Sequence, residues 1–293
     1  MKKINHSELV RNMDGSIYHI HLHPGELAET ILLVGDPGRA KLVANYFDEI
    51  ELHQQNREIV TYTGNYKGKR ISVMSTGMGP DNIEIVVNEI DALFNIDIEN
   101  LKPKEHLTSL NLIRIGTSGA LQEDIPVVDS YLVSAAAIGL DGLAYFYHKG
   151  PETINMELTK SFITQMNSDP YLPRPYGIEG SPELLEKLGF GWRQGITLTA
   201  PGFYAPQGRE LRLAVLDKTF IPKASQFEWK GFRVSNFEME TSALYIISSM
   251  LGHRALTVCD IIANRANSQF NPNYKESMRH LIVEMLDRIA LKL

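Results

Sequence analysis

The sequence predicts an α/β fold: one domain, residues 1–293, with a central, mixed and mostly parallel sheet flanked by helices. Two observations carry this. Apolar runs of strand length, at residues 29–34, 71–75 and from Leu112 onward, each break into a glycine turn, at Gly35, Thr76 and Gly116 respectively. After the first two turns a helical pattern follows, over residues 40–47 and 82–94. Strand, glycine turn and helix, repeated, is what parallel strands with binding sites at their carboxyl edge produce. No Pro/Gly/Ser-rich linker divides the chain into halves of different composition.

In 293 residues, 43% hydrophobic and 22% charged side chains suffice for a substantial core and exclude a disordered or fibrous protein. The formal net charge of −6 offers no general attraction to nucleic acid or to an anionic membrane. Any phosphate must therefore be met by a few placed arginines. Cys259 is the only cysteine, so an intrachain disulfide and a cysteine-rich metal site are both excluded, which fits a reducing compartment. The first residues include two lysines but no apolar signal core, and no run approaches the roughly 18 apolar residues of a membrane helix. The expectation is a cytoplasmic protein with neither a nucleic-acid nor a membrane partner.

Taken in order, residues 17–24 alternate so that His19, His21 and His23 would share one face of a strand. A metal site there would need matching ligands at later strand ends, and the remaining histidines lie in no such setting, so a single working histidine is the better reading. Gly35 to Arg39 then joins a strand to a helix N-terminus, where free N–H groups and the helix dipole favour an anion. Arg57 precedes a hairpin over residues 59–76. Residues 95–111 form a polar excursion without visible chemistry. The stretch from Leu112 to Leu121 reads as a buried strand ending in the turn Gly116, Thr117, Ser118, Gly119, with Arg114 as a fixed charge suited to phosphate; the alternative is an ordinary turn with Arg114 in a structural ion pair.

A further strand is expected over residues 125–134, then a loop-rich region with a helix at 157–166. Ser181 and Pro182 provide a cap and a first-turn proline for a helix at 181–188. After a short strand at 196–199, Phe203 offers a flat face, Gln207 an amide and Arg209 a charged fork, together suited to a planar heterocycle with exposed oxygens. Glu238 and Glu240 flank Met239 at a helix entrance; they either favour the helix dipole or bind vicinal hydroxyls. A last buried strand, 253–265, ends in Asn264 and Arg265, and residues 272–293 form a packing helix.

The motifs GDPGR at Gly35, TYTGNYKGKRISVMSTGMG at Thr61, RIGTSGALQ at Arg114, FYAPQGR at Phe203, FEMETSALY at Phe237 and ANR at Ala263 together resemble the nucleoside phosphorylases, and among them the uridine phosphorylase branch. The likeness keeps one order from about Tyr18 to Arg265. It implies phosphorolysis of a pyrimidine nucleoside, uridine and phosphate giving uracil and ribose 1-phosphate, in nucleoside salvage and catabolism; a purine nucleoside phosphorylase or a hydrolytic nucleosidase on the same fold is the alternative. By the same resemblance Gly35, Arg39, Arg114 and Thr117 hold phosphate, and Arg57 reaches it from a neighbouring subunit. His19, also from the neighbour, meets the ribose with Glu238, Met239 and Glu240, while Phe203, Gln207 and Arg209 take the base. Arg209, Gln207, Glu240 and Arg114 would carry the catalysis. Each site would be shared within a homo-oligomer, dimer or hexamer, and no cofactor is implied beyond phosphate as co-substrate. A monovalent cation near Glu58 is a feature of some members, but Asn82 stands where they carry a serine. Purine-acting relatives place a Ser-Asp pair where this chain has Ala263 and Asn264, with Asp260 earlier in the strand.

Overall fold

The computed structural model describes residues 3–167 and 169–293. The chain begins with β1 (Thr30–Val34), α1 (Pro37–Ala44), β2 (Glu49–Asn56), β3 (Ile59–Tyr66), β4 (Lys69–Ser75) and α2 (Pro80–Asn95). A small hairpin, β5 (Ile96–Asp97) and β6 (Lys102–Pro103), leads to β7 (Asn111–Ala120) and β8 (Tyr131–Gly139). Then come α3 (Gly150–Thr153), α4 (Met156–Met166), β9 (Tyr176–Glu179), α5 (Pro182–Leu188) and β10 (Arg193–Thr199). The last part holds α6 (Phe220–Ser225), β11 (Glu228–Trp229), β12 (Phe232–Glu238), α7 (Thr241–Leu251), β13 (Arg254–Asn264), β14 (Gln269–Phe270) and α8 (Tyr274–Lys292).

The main sheet has the order β11-β12-β10-β8-β13-β7-β1-β4-β3-β2. Two parallel blocks, β4-β1-β7-β13 and β8-β10-β12, meet in an antiparallel ladder between β13 and β8. β12 also pairs antiparallel with β7, through Asn236 opposite Ala120 and Phe237 opposite Gly119, so β7, β13, β8, β10 and β12 close into a ring. α1, α5 and α8 cover one face over Leu32, Val34, Ile113, Ile115 and Val258. α2 and α7 cover the other over Ile31, Leu33 and Leu112. The result is the expected single-domain α/β fold, a mixed sheet flanked by helices.

Local chemistry explains the elements. In β1 every residue after Thr30 is buried, because helices cover both faces, and the strand is apolar without alternation. Asp36 caps α1 by accepting from the Gly38 N–H at 3.0 Å, with Pro37 at the first helical position. Gly79, at φ 102°, turns the chain into α2.

Four expectations of the sequence reading are corrected by the structure. Residues 116–119 are not a turn: β7 runs through them, paired with β13 on one side and β12 on the other. The glycine is there for space, since a Cβ on Gly116 would stand 3.0 Å from the Cys259 Sγ and 3.2 Å from the Arg114 guanidinium. Residues 17–24 are not a strand. Ile17, Ile20 and Leu22 are the buried anchors, and the chain loops around Glu89, whose carboxylate accepts from the backbone N–H groups of His19 and Ile20, both at 3.0 Å. The strand expected at 125–134 lies later, over β8, because Asp129 takes a positive φ of 44° and breaks extension. The excursion at 95–111 is not simply solvated, for Leu101 and Leu110 are buried in the core.

The seam between the blocks contains a device. β13 and β8 pair from Asp260 opposite Tyr131 to Val258 opposite Val133. At the next step, Thr257 and Ser134, the Tyr245 hydroxyl of α7 stands in for the direct bond, donating to the Ser134 carbonyl and accepting from the Thr257 N–H, both at 2.8 Å. Tyr245→Phe strands that N–H in the core, and it is expected to lower stability by about 1–3 kcal/mol, read as a shifted denaturation midpoint with an unchanged slope.

Candidate active site

Three strand ends and one loop converge on Arg114. Its side chain leaves β7 into the core, where it pairs with Glu240, and its Nε lies 3.5 Å from Glu238 Oε2. Burial alone would lower the Arg114 pKa, but the charges of Glu240 and Glu238 outweigh it and the net shift is upward. The antiparallel register explains the meeting. With Phe237 opposite Gly119, the residues that follow Phe237 run back along β7 toward Gly116 and Arg114.

The two carboxylates have different tasks. Glu238 is spent internally: Oε1 accepts from the Thr199 hydroxyl at 2.7 Å, and Oε2 from the N–H groups of Glu240 at 2.8 Å and Thr241 at 2.9 Å, which caps α7. Burial raises its pKa, and Arg114 opposes the rise. Glu238 is thus a positioning group. Glu240 holds Arg114 with one oxygen and accepts from the Gly79 N–H at 2.8 Å with the other, leaving lone pairs for a ligand's hydroxyls. Met239, half-buried, lies between them.

Arg39 comes to this centre from the first turn of α1, just past Gly35. It donates to the Ile115 carbonyl at 3.2 Å and makes no ion pair among the described residues. Burial first, and the charge of Arg114 second, lower its pKa, though an arginine stays protonated. Two guanidinium groups with one left unneutralised make a site that calls for an anion. Gly35 passes close to the next loop, a Cβ there standing 3.4 Å from the Gly77 carbonyl. Thr117 lies on β7 beyond Ile115 and by alternation shares its face, the side from which Arg39 arrives.

A second cluster follows β10. Gln207 is buried in a short 3₁₀ turn, Ala205–Gln207. Arg209 donates to its Oε1 at 2.6 Å and to the Phe203 carbonyl at 2.7 Å, and its guanidinium stacks 3.8 Å over the half-exposed Phe203 ring. Arg265, absent from the sequence-derived site, enters from the end of β13 and donates to the Gln207 carbonyl. Burial first and Arg265 second lower the Arg209 pKa. Arg265 carries no separate sequence signal; only the ladder that sets β13 beside β7 brings it here. Thr199 was also missed, because its role is to hold Glu238.

His19 and Arg57 form a third group. His19 Nδ1 lies 2.6 Å from Glu89, and its carbonyl accepts from Asn56 at 2.9 Å. Arg57, on the two-residue turn between β2 and β3, reaches the Tyr18 hydroxyl at 3.5 Å. Neither bonds to Arg39, Arg114 or Glu240 within the chain. Glu58 and Asn82 both flank Gly77, where a Cβ would meet the two side chains. Among the described residues no group of three or more His, Cys, Asp or Glu is placed to hold a metal ion. No helix among them is long and apolar enough to cross a membrane.

Comparison with known proteins places the fold. Residues 29–290 match the model of the Phosphorylase superfamily. A uridine phosphorylase of Thermococcus kodakarensis is 31% identical over 274 residues, 92% of this chain and 85% of that protein. A DeoD-type purine nucleoside phosphorylase of Alkaliphilus metalliredigens is 32% identical over 246 residues, 83% of this chain and 85% of its own. Among solved structures, a Trypanosoma brucei nucleoside phosphorylase described as showing uridine phosphorylase activity superposes with a TM-score of 0.86 at 29% identity, covering 97% of this chain and 99% of that one. With an anion-seeking arginine pair, a carboxylate on the neighbouring strand end and an amide-guanidinium cluster beyond it, the chain belongs to the phosphorylase superfamily, within its nucleoside phosphorylases.

Proposed function

We propose that the chain is a pentosyltransferase that cleaves pyrimidine nucleosides with phosphate, uridine giving uracil and ribose 1-phosphate. The observation that carries this is the half-buried Arg39, without an ion-pair partner among the described residues, beside Arg114, together with the separate cluster of Gln207, Arg209 and Arg265. Phosphate held by Arg39 and Arg114 attacks the anomeric carbon as the bond to the base breaks. Its charge opposes the cation developing on the sugar. Glu240 fixes the ribose hydroxyls, and Arg209 with Gln207 stabilises the departing base anion.

The end of β13 favours pyrimidine over purine. The Asn264 amide donates to the carbonyls of Gln122 at 2.8 Å and Ile125 at 2.7 Å, and Asp260 accepts from Ser277 of α8. The position held by Asn264 thus carries an amide and no carboxyl group, and Asp260 turns toward α8, so neither is set to protonate a purine nitrogen. The purine-acting relative keeps the other reading in view. A spectrophotometric assay of uridine, thymidine and inosine decides between them: uridine cleavage that requires phosphate is expected, whereas inosine preference or cleavage by water alone would reject the assignment.

Arg209→Ala is expected to reduce kcat/KM for uridine by roughly one to two orders of magnitude through the base, since a charge-assisted hydrogen bond contributes ~1.5–3 kcal/mol. Glu240→Ala is expected to act through the sugar with a comparable loss. Wild-type kinetics in either variant would sink its assignment. The pairing of His19 with Arg57 on one corner supports a site completed by a second copy of the chain. If so, mixing inactive Arg39→Ala with inactive Arg57→Ala subunits and letting them reassociate restores about a quarter of the sites of a dimer, because half of the pairs are mixed and each of those has one intact site. Activity that stays at the level of the separate variants would mean that the site is not shared in this way.

A further inference from the structure

We propose that Asp260 is a proton-sensitive counter-charge behind the phosphate subsite, a positioning residue that acts through Arg39 and Thr117 and makes phosphate bind less well once its own proton is lost. The proposal rests on the phosphorolytic reading above. Asp260 is fully buried on β13, directly opposite Thr117 in the parallel ladder with β7, so the two side chains are neighbours on one face. Arg39 arrives on that face and bonds to the carbonyl of Ile115, two residues before Thr117. One carboxyl oxygen of Asp260 accepts from the Ser277 hydroxyl of α8 at 2.7 Å, while the other, Oδ2, has no hydrogen-bond partner among the described residues. A buried carboxylate oxygen without a donor is costly, and Ser277 alone does not account for it.

The surroundings set its response. From the β8 side come Tyr131, its register partner, whose hydroxyl donates to the Ser277 carbonyl at 3.0 Å, and Asp129, which His280 of α8 approaches at 3.4 Å. α1 contributes Arg39, and β7 contributes Thr117. Arg114 and Cys259 lie across the sheet. Burial, opposed by the Ser277 hydrogen bond, reinforced by the charge of Asp129 and opposed again by Arg39, pushes the Asp260 carboxyl up to about 6. Above that pH Arg39 lies within the field of a carboxylate, though not in an ion pair with it. An incoming phosphate anion must share this arginine with a second negative charge in a medium of low dielectric. Taking up a proton from solvent on the unpartnered oxygen removes the conflict. Phosphate binding and protonation of Asp260 are therefore linked, and each favours the other.

The test compares KM for phosphate, at saturating uridine, in the wild type and in Asp260→Asn across a range of pH. The ionisation of phosphate itself is common to both and cancels in the ratio. The wild-type to variant KM ratio is expected to rise about tenfold between about pH 5.5 and 8, one decade for each pKa unit by which bound phosphate raises the carboxyl. A ratio that is flat or falls overturns the proposal. Ser277→Ala keeps the carboxyl but removes the bond that favours its charged form, so the inflection in KM moves to higher pH. An unmoved inflection also overturns it, and this arm decides the matter should Asp260→Asn fail to fold. Wild-type protein without phosphate-dependent cleavage overturns the functional reading and this proposal with it, whereas an active enzyme with a flat ratio overturns this one alone.

Discussion

The buried ion cluster of Arg114 with Glu238 and Glu240 is the constraint on which the rest of the site depends. Stripping a guanidinium of water costs several kcal/mol, and only close, hydrogen-bonded carboxylates make its burial tolerable. Each carboxylate is in turn tied to a different element: Glu238 to Thr199 at the end of β10 and to the first N–H groups of α7, Glu240 to the Gly79 N–H ahead of α2. Four segments distant in sequence are thereby held to one charge. Removing either glutamate would free the element that it ties to Arg114, so the cluster holds the site against drift.

That cluster exists because the sheet closes. β12 has β10 on one side and β7 on the other. In an open sheet the strand carrying Glu238 and the strand carrying Arg114 would lie several positions apart; the closing pair at Phe237 and Gly119 makes them neighbours. The same ring sets Arg265, at the end of β13, against the loop that follows β10. Small residues at the closure follow from sterics, since Gly116 leaves room for both the Cys259 sulfur and the Arg114 side chain.

This also explains which features are legible in the sequence. The first glycine turn reads correctly because its signals are local: a capping Asp36, a first-turn Pro37 and an apolar run before them. The stretch from Gly116 to Gly119 is likewise bounded by two glycines but for a tertiary reason, so it reads as a turn while being the carboxyl-terminal part of a strand. Of the two readings offered for Arg114, the structure displays the ion pair, with Arg39 as the unpaired charge beside it. β12 and β2 escape notice for a related reason. FRVSNFE carries polar residues that the ring interior satisfies, Asn236 donating to Ser118 and accepting from Thr197, both at 2.8 Å. EIELHQQN is half-exposed and lacks an apolar run. The histidine row misleads because its even spacing survives while the chain winds around Glu89, a residue 70 positions away.

The charges at the site form a sequence that matches the proposed reaction better than it matches a resting ligand. On the proposed reading Arg39 and Arg114 take the phosphate, Arg209 with Arg265 the base, and the carboxylate of Glu240 the sugar between them. A neutral nucleoside gains little from such an alternation. A breaking glycosidic bond has negative charge on the nucleophile, positive charge on the sugar and negative charge on the base, and each then faces its opposite. Since only interactions that strengthen toward the transition state accelerate the chemistry, the cost of keeping these ions fixed and largely dry is met where the charge separates. A site built merely to bind would do better with uncharged hydrogen-bonding groups, because it would avoid stripping Arg114 of water and Arg39, Arg209 and Arg265 of part of theirs.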